Sequence, residues 1–222
     1  MLAVLPSMRW TMLPFMLLCA APAVAAVTAS PMKTEGAVPK LPRLTAFPDA
    51  TVRAKVNALL AKREKSDRAA MQDCKAQAEG AFHYDERVAV TYLSSRAMSV
   101  VTVAEWNCGG AYPDNETRAL TLDLSTGAAL DWARVFRPGY DAALRKLYQA
   151  RYANADAACR DAVKTDFASD LVLWLDARKH ALIVEPEFPH AAQACADDVA
   201  LDADAIATLV ADPAFLADLK AS

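Results

Sequence analysis

The chain has few of the residues that most active sites are built from. Among 222 residues there are six glycines and three histidines. His83, His180 and His190 are far apart, and no C-x-x-C pair accompanies them, so a zinc site has no recognisable ligand set. There is no G-x-x-x-x-G-K phosphate loop and no G-x-S-x-G nucleophile elbow. Basic residues number 24 against 27 acidic ones, a dispersed and mildly acidic balance that argues against nucleic acid or an anionic membrane surface as partner. No cofactor is expected.

Apolar residues are plentiful, at 55% of the chain. Part of that fraction lies in residues 10–25, W-T-M-L-P-F-M-L-L-C-A-A-P-A-V-A, which follow the single charge of Arg9 and end in small-x-small at Ala23-Val24-Ala25. This is the build of a secretory signal peptide, residues 1–25, cleaved near Ala25 or Ala26. A membrane anchor and lipid attachment at Cys19 are the alternatives. Pro14 and Pro22 interrupt the run and Leu18 is bulky for a residue before a lipidated cysteine, so both are less favoured. The protein is expected to be periplasmic or secreted, without stable membrane insertion after cleavage. Removal of residues 1–25 leaves 23 basic against 27 acidic residues. Residues 26–43, which mix Pro, Ser, Thr and Lys without periodicity, read as a flexible N-terminal segment.

Four cysteines remain after cleavage, Cys74, Cys108, Cys159 and Cys195. An even count in an oxidising compartment implies two disulfides with three possible connectivities. Sequential pairing, Cys74–Cys108 and Cys159–Cys195, is expected because each pair flanks its own block of secondary structure.

Helical spacing of Val52, Val56, Leu59 and Leu60 predicts an amphipathic helix over 48–63, resuming through Met71 and Cys74 to Ala78. The charged run 62–68 between them reads as a solvated face. From Phe82 the period changes to two: strands are predicted through R-V-A-V-T-Y-L and M-S-V-V-T-V-A-E-W about a turn at 94–96, then through R-A-L-T-L-D-L and the short A-L-D-W. Helices follow at 140–152 and 155–164, strands at 170–176, 180–186 and 199–201, and an Ala-rich helix beyond Asp202. Helices and antiparallel strands in separate runs indicate an α+β fold, an antiparallel sheet packed with helices and stabilised by disulfides. Residues 44–222 are treated as a single domain, with two subdomains meeting near 138 as the alternative.

The N-C-G-G-A-Y-P-D loop, the L-T-L-D-L-S-T-G-A-A-L-D-W segment and the V-F-R-P helix entry, in this order over about Pro48 to Val210, resemble a bacterial envelope domain of unknown function. The resemblance is to the extracellular domain of the lysozyme-binding anti-sigma-V factor and to the accessory domain of some peptidoglycan deacetylases. Many relatives carry His where this chain has Tyr112, so a role needing imidazole does not transfer. The resemblance implies a free-standing exported binding protein, recognising a lysozyme-like enzyme or a peptidoglycan component. The loop Gly109, Gly110, Ala111, Tyr112, Pro113 and Asp114 is the candidate ligand-binding element.

Catalytic readings have less to stand on. Cys108 as a nucleophile conflicts with its expected disulfide, and Ser94, Ser95 and Ser99 lack an orienting motif. An envelope hydrolase acting on glycan would need paired carboxylates. Asp114, Glu116, Asp123 and Asp131 cluster along the sequence, as do Glu185 and Glu187, although acids in such positions are commonly solvated or turn-forming. Trp106, Trp132 and Trp174 could stack on sugar rings, but at strand ends they read more simply as core.

Overall fold

The structure is a computed structural model and describes residues 27–30, 38–80, 82–110, 112–153, 156–165, 170–188 and 190–221. The signal-peptide assignment at 1–25 and the loop residue Ala111 lie outside the described residues.

A 28-residue helix, α1 (Ala50–Gln77), opens the main body. Asp49 caps it, accepting from Thr51 N at 2.7 Å and Val52 N at 3.1 Å, which satisfies two of the free amides of the first turn. The helix buries Val52, Val56, Leu60, Asp67 and Cys74 along one stripe. It therefore runs unbroken through the charged segment 62–68, where a solvated face was expected. Asp67 is 1% exposed because the stripe passes over its position as it does over Leu60.

Residues 27–30 and 38–46 are docked, where the sequence pointed to a flexible segment over 26–43. The strand β1 (Thr28–Ala29) pairs antiparallel with β2 (Leu44–Ala46). Val38, Leu41 and Leu44 are buried, and Leu44 N donates to Asn57 Oδ1 on α1 at 2.8 Å. Scattered apolar residues with no period still find a core when a long helix offers one.

Strands β3 (Phe82–Leu93), β4 (Ala97–Cys108), β5 (Asp114–Asp123) and β6 (Ala128–Ala129) form an antiparallel sheet in that order. The period-two alternation sorts the side chains of β4: Met98 and Val100 pack with Val52, Val56 and Leu60 of α1, while Val101 faces the other way. A second antiparallel sheet, β7 (Leu171–Asp176), β8 (Ala181–Pro186) and β9 (Val199–Asp202), covers that other face. Trp174, Ala181 and Ile183 meet Val101 between the sheets. Side-chain bonds fasten the crossing: Leu175 N donates to Ser99 Oγ at 3.1 Å, and Thr91 Oγ1 donates to Leu175 O at 2.6 Å.

The far face of the second sheet carries Leu173, Leu175, Leu182 and Val184 into a core shared with helices. These are α2 (Trp132–Val135), α3 (Tyr140–Arg151), α4 (Ala157–Thr165), α5 (Ala203–Ile206) and α6 (Pro213–Ala221). The order of layers is helix, sheet, sheet, helices, an α+β architecture. Disulfides link Cys74 with Cys108 and Cys159 with Cys195.

Candidate functional site

The loop between β4 and β5 is held from its first residue. Cys108 ends β4 and is bonded to Cys74 near the end of α1. Gly109 has φ +93°, and a Cβ there would stand 2.7 Å from the backbone nitrogen of Glu79. Only glycine permits both the left-handed turn and this approach to the end of the helix. Gly109 N also donates to Asn107 Oδ1 at 2.8 Å. Tyr112 then stands 75% exposed, Pro113 follows, and Asp114 begins β5.

Behind the loop lies a cleft of about 290 Å³. One wall is the end of β4 and the start of β5, Trp106 and Asp114 to Thr117; the other is the end of β8 and the chain after it, Glu185 to Phe188. The crossing of the sheets thus gathers carboxylates from two distant parts of the sequence, Asp114 and Glu116 with Glu185 and Glu187. Burial pushes the Glu185 carboxyl up to about 7, against a hydrogen bond from Thr117, and Asp198 and Asp197 add to the rise. Burial also raises Glu187, helped by the negative charges of Glu116 and Asp170. The cleft thus gathers four acids, two of which, Glu185 and Glu187, are held above the usual carboxylate range by burial.

Beside the cleft, between α1 and the sheet, sits a buried ionic network. Arg118 on β5 contacts Asp67 Oδ1 at 3.0 Å and Glu86 Oε1 at 2.5 Å, and its Nε lies 3.4 Å from Glu116 Oε2. Arg63 Nε reaches Asp67 Oδ1 at 2.9 Å, and Tyr84 OH donates to Glu86 Oε1 at 3.0 Å. Burial raises the Glu86 carboxyl and the charge of Asp67 raises it further, while Arg118 and Tyr84 oppose both. Glu116 lines the cleft and stands opposite the Arg118 guanidinium of this network.

Of the residues singled out by sequence, the structure brings Asp114, Glu116, Glu185, Glu187 and Trp106 to the cleft. Asp123 is elsewhere, organising its turn: it accepts from Ser125 N and Ser125 Oγ at 2.7 Å and from Thr126 Oγ1 at 2.9 Å. Burial alone would raise its carboxyl, but these bonds and Arg96 hold it below the usual value. Asp131 caps α2 by accepting from Ala133 N at 3.0 Å. Ser94 donates to Asp218 and Ser99 pairs with Thr121, so both hydroxyls are structural. Trp174 lies in the intersheet core and Trp132 stacks on Phe136. Cys108 is a disulfide half and not a thiolate nucleophile. Among the described residues no group of three or more His, Cys, Asp or Glu could hold a metal ion.

Arg118, Asp67 and Glu86 went unrecognised in the sequence. A signal was there in part. Asp67 falls on the stripe of Val56 and Leu60, and Arg118 has the parity of Leu120 and Leu122.

No protein-family model matches the sequence, and neither does any curated protein. Among solved structures, the chain is similar to a member of the DUF3298 family from Bacteroides fragilis, with a TM-score of 0.56 at 15% identity over 89% of this chain and 96% of that one. It also matches a DUF3298 family protein from Pseudomonas aeruginosa, with a TM-score of 0.49 at 14% identity over 87% and 96% of the two chains. The likeness to the Bacteroides fragilis protein is one of fold: this chain has the architecture of a domain of unknown function.

Proposed function

We propose that the chain is an exported, non-catalytic binding protein of the cell envelope that recognises a basic, lysozyme-like enzyme through the acidic cleft and the loop at its rim. The observation that carries the reading is the convergence of Asp114, Glu116, Glu185 and Glu187 on one cleft beside an exposed Tyr112. Negative charge focused in a concave surface selects a positively charged partner and speeds its encounter. An exposed aromatic side chain two residues before Asp114 is the kind of group that anchors protein interfaces. The resemblance of the loop sequence to an envelope domain that binds lysozyme points the same way. The two disulfides suit an extracytoplasmic protein. No helix among the described residues is long and apolar enough to cross a membrane.

The test is retention of a basic lysozyme, and separately of purified peptidoglycan, by the immobilised protein at low and high salt. Retention of the enzyme that weakens with salt, and is lost in the combined Glu116→Gln, Glu185→Gln and Glu187→Gln variant, supports the reading. Absence of retention at low salt retires it; retention of peptidoglycan alone moves the ligand from protein to glycan.

One observation favours a second reading, an envelope hydrolase acting on glycan. Glu185, pushed up to about 7, shares its cleft with Asp114 and Glu116, the pairing of a protonated acid with carboxylates that glycoside cleavage uses. Release of reducing sugar from peptidoglycan, abolished by Glu185→Gln, would establish it. No turnover with either protein removes it.

A further inference from the structure

The fold sorts the charged run 62–68 by sign. Its two acids are turned inward and spent on arginines: Glu64 accepts from Arg43 and Arg68, and the buried Asp67 accepts from Arg63 and Arg118. Its two lysines, Lys62 and Lys65, are exposed. Lys55 before them and Lys75 after them on the same helix are exposed as well, and none of the four is in an ion pair among the described residues. Asp73 is the one acid of α1 that is exposed. Charges that alternate along the sequence are therefore separated in space, neutralised pairs toward the protein and free ammonium groups toward solvent.

α1 is the outer layer against the first sheet, a rod about 42 Å long at the usual helical rise. Lys55, Lys62 and Lys65 lie on the side turned away from the stripe of Val52, Val56 and Leu60. Between them Ala54, Ala58 and Ala61 are exposed and too short to screen the longer lysines. The acids of the cleft belong to β5, β8 and the chain after β8, and none to this helix. The apolar residues 10–25 precede Val27, and β1, which follows, pairs with β2, whose Leu44 is bonded to Asn57 of α1. The most apolar stretch of the sequence thus joins the fold alongside this helix.

We propose that the outer face of α1 rests on an anionic lipid surface, with the ammonium groups of Lys55, Lys62, Lys65 and Lys75 among the headgroup phosphates. A convex rod meets a plane along its length, so lysines spread over several turns can all reach the same surface. The mildly acidic balance of the whole chain argued against such a partner, but that balance averages these lysines with acids that are paired inward or placed on other elements. Attraction to a charged surface is felt within about a Debye length, roughly 8 Å in physiological salt, so the nearest charges decide it. Each lysine at an anionic surface strengthens binding by about fivefold. The inference goes beyond the reading of the acidic cleft and uses none of its residues.

The probe is a pair of vesicle preparations, phosphatidylglycerol mixed equally with phosphatidylcholine and phosphatidylcholine alone, sedimented with the chain from Ala26 onward, both disulfides formed. Every described element lies within that chain. Expected is co-sedimentation with the anionic vesicles alone, lost at high salt. Lys65→Gln weakens it by about fivefold, and Lys55→Gln, Lys62→Gln, Lys65→Gln and Lys75→Gln combined abolish it with the denaturant midpoint unchanged. If the combined variant fails to fold, the single variants at Lys62 and Lys65 carry the test. The cleft variant Glu116→Gln, Glu185→Gln, Glu187→Gln binds the anionic vesicles undiminished.

Equal sedimentation of the combined variant, or equal binding to the neutral vesicles, overturns the inference. Absence of binding to either preparation at low salt overturns it as well. In that case retention on immobilised polyphosphate, lost in the combined variant, would assign the face to a soluble polyanion in place of lipid. Retention of the basic lysozyme by the combined variant is not weakened, so the cleft reading and this one fail separately.

Discussion

Arg118 Nη1 lies 3.0 Å from Asp67 Oδ1, tying strand β5 to helix α1 in the layer that also holds the apolar side chains of Val56, Leu60 and Leu122. The Asp67 and Glu86 side chains are both 1% exposed and share this one guanidinium. Their second oxygens have no hydrogen-bond partner among the described residues. Removing the cation leaves Asp67 with Arg63 alone and Glu86 with the Tyr84 hydroxyl alone, in a medium that solvates carboxylates poorly. Arg118→Leu is expected to cost about 3–5 kcal/mol in urea unfolding. The triple variant Arg118→Leu, Asp67→Leu, Glu86→Leu should recover most of that loss. A triple variant no more stable than the single one would show that packing, and not charge, sets the cost.

Glu185 links pH to stability with a definite sign. Its carboxyl is raised from 4.5 to about 7 in the folded protein, with burial as the largest cause. Between those values the folded state holds a proton that the unfolded state has released, so this group's contribution to stability falls as pH rises from 4.5 to 7. Above 7 the full cost is present. Glu185→Gln should therefore stabilise the protein by roughly 2 kcal/mol at pH 8 and have little effect near pH 4.5. Denaturant midpoints at the two pH values measure it, and an equal effect at both would contradict the assignment.

Gly109 and its neighbour Gly110 should answer alanine differently. At Gly109 the backbone is left-handed and a Cβ would meet backbone at 2.7 Å; at Gly110 its nearest contact would be Tyr112 O at 3.9 Å. Gly109→Ala is expected to lose about 2 kcal/mol or more, and Gly110→Ala less than about 0.5 kcal/mol. Thermal unfolding of the two variants side by side gives the comparison.

The Cys74–Cys108 bond, spanning 34 residues, closes a loop that contains all of β3 and fastens the binding loop to α1. In the chain-entropy treatment a closure of this length is worth about 4 kcal/mol. Cys74→Ser with Cys108→Ser should lower stability by about that amount and speed amide exchange at Asn107 and Gly109. Unchanged exchange there would mean that the loop is held by Gly109 packing alone.

Much of the fold was legible along the chain. The strand patterns of residues 87–93 and 98–106, which lie within β3 and β4, the turn at Ser94–Arg96 and the helix from Tyr140 follow from local pattern and turn chemistry. Other elements escaped local reading. The early start of β5 at Asp114 is dictated by pairing with Trp106, and α6 (Pro213–Ala221) had no strong periodic signal. The docking of Val38 and Leu41 depends on a groove beside α1 that no neighbouring residue announces.

What the sequence by itself determined is the alternation that sorts side chains to faces, the cysteine count, and the glycine that the turn after Cys108 requires. These are local matters of backbone sterics and period. Only the tertiary structure decided which acids meet. Asp114 and Glu116 share a cleft with Glu185 and Glu187 because one sheet crosses the other, while Asp123, nearer in sequence, is spent on its own turn. The charge at Asp67 became part of a core because α1 kept its buried stripe where a partner, Arg118, came from β5 to meet it. Charge in a sequence has no direction until packing supplies one, and packing is set by contacts between residues far apart along the chain.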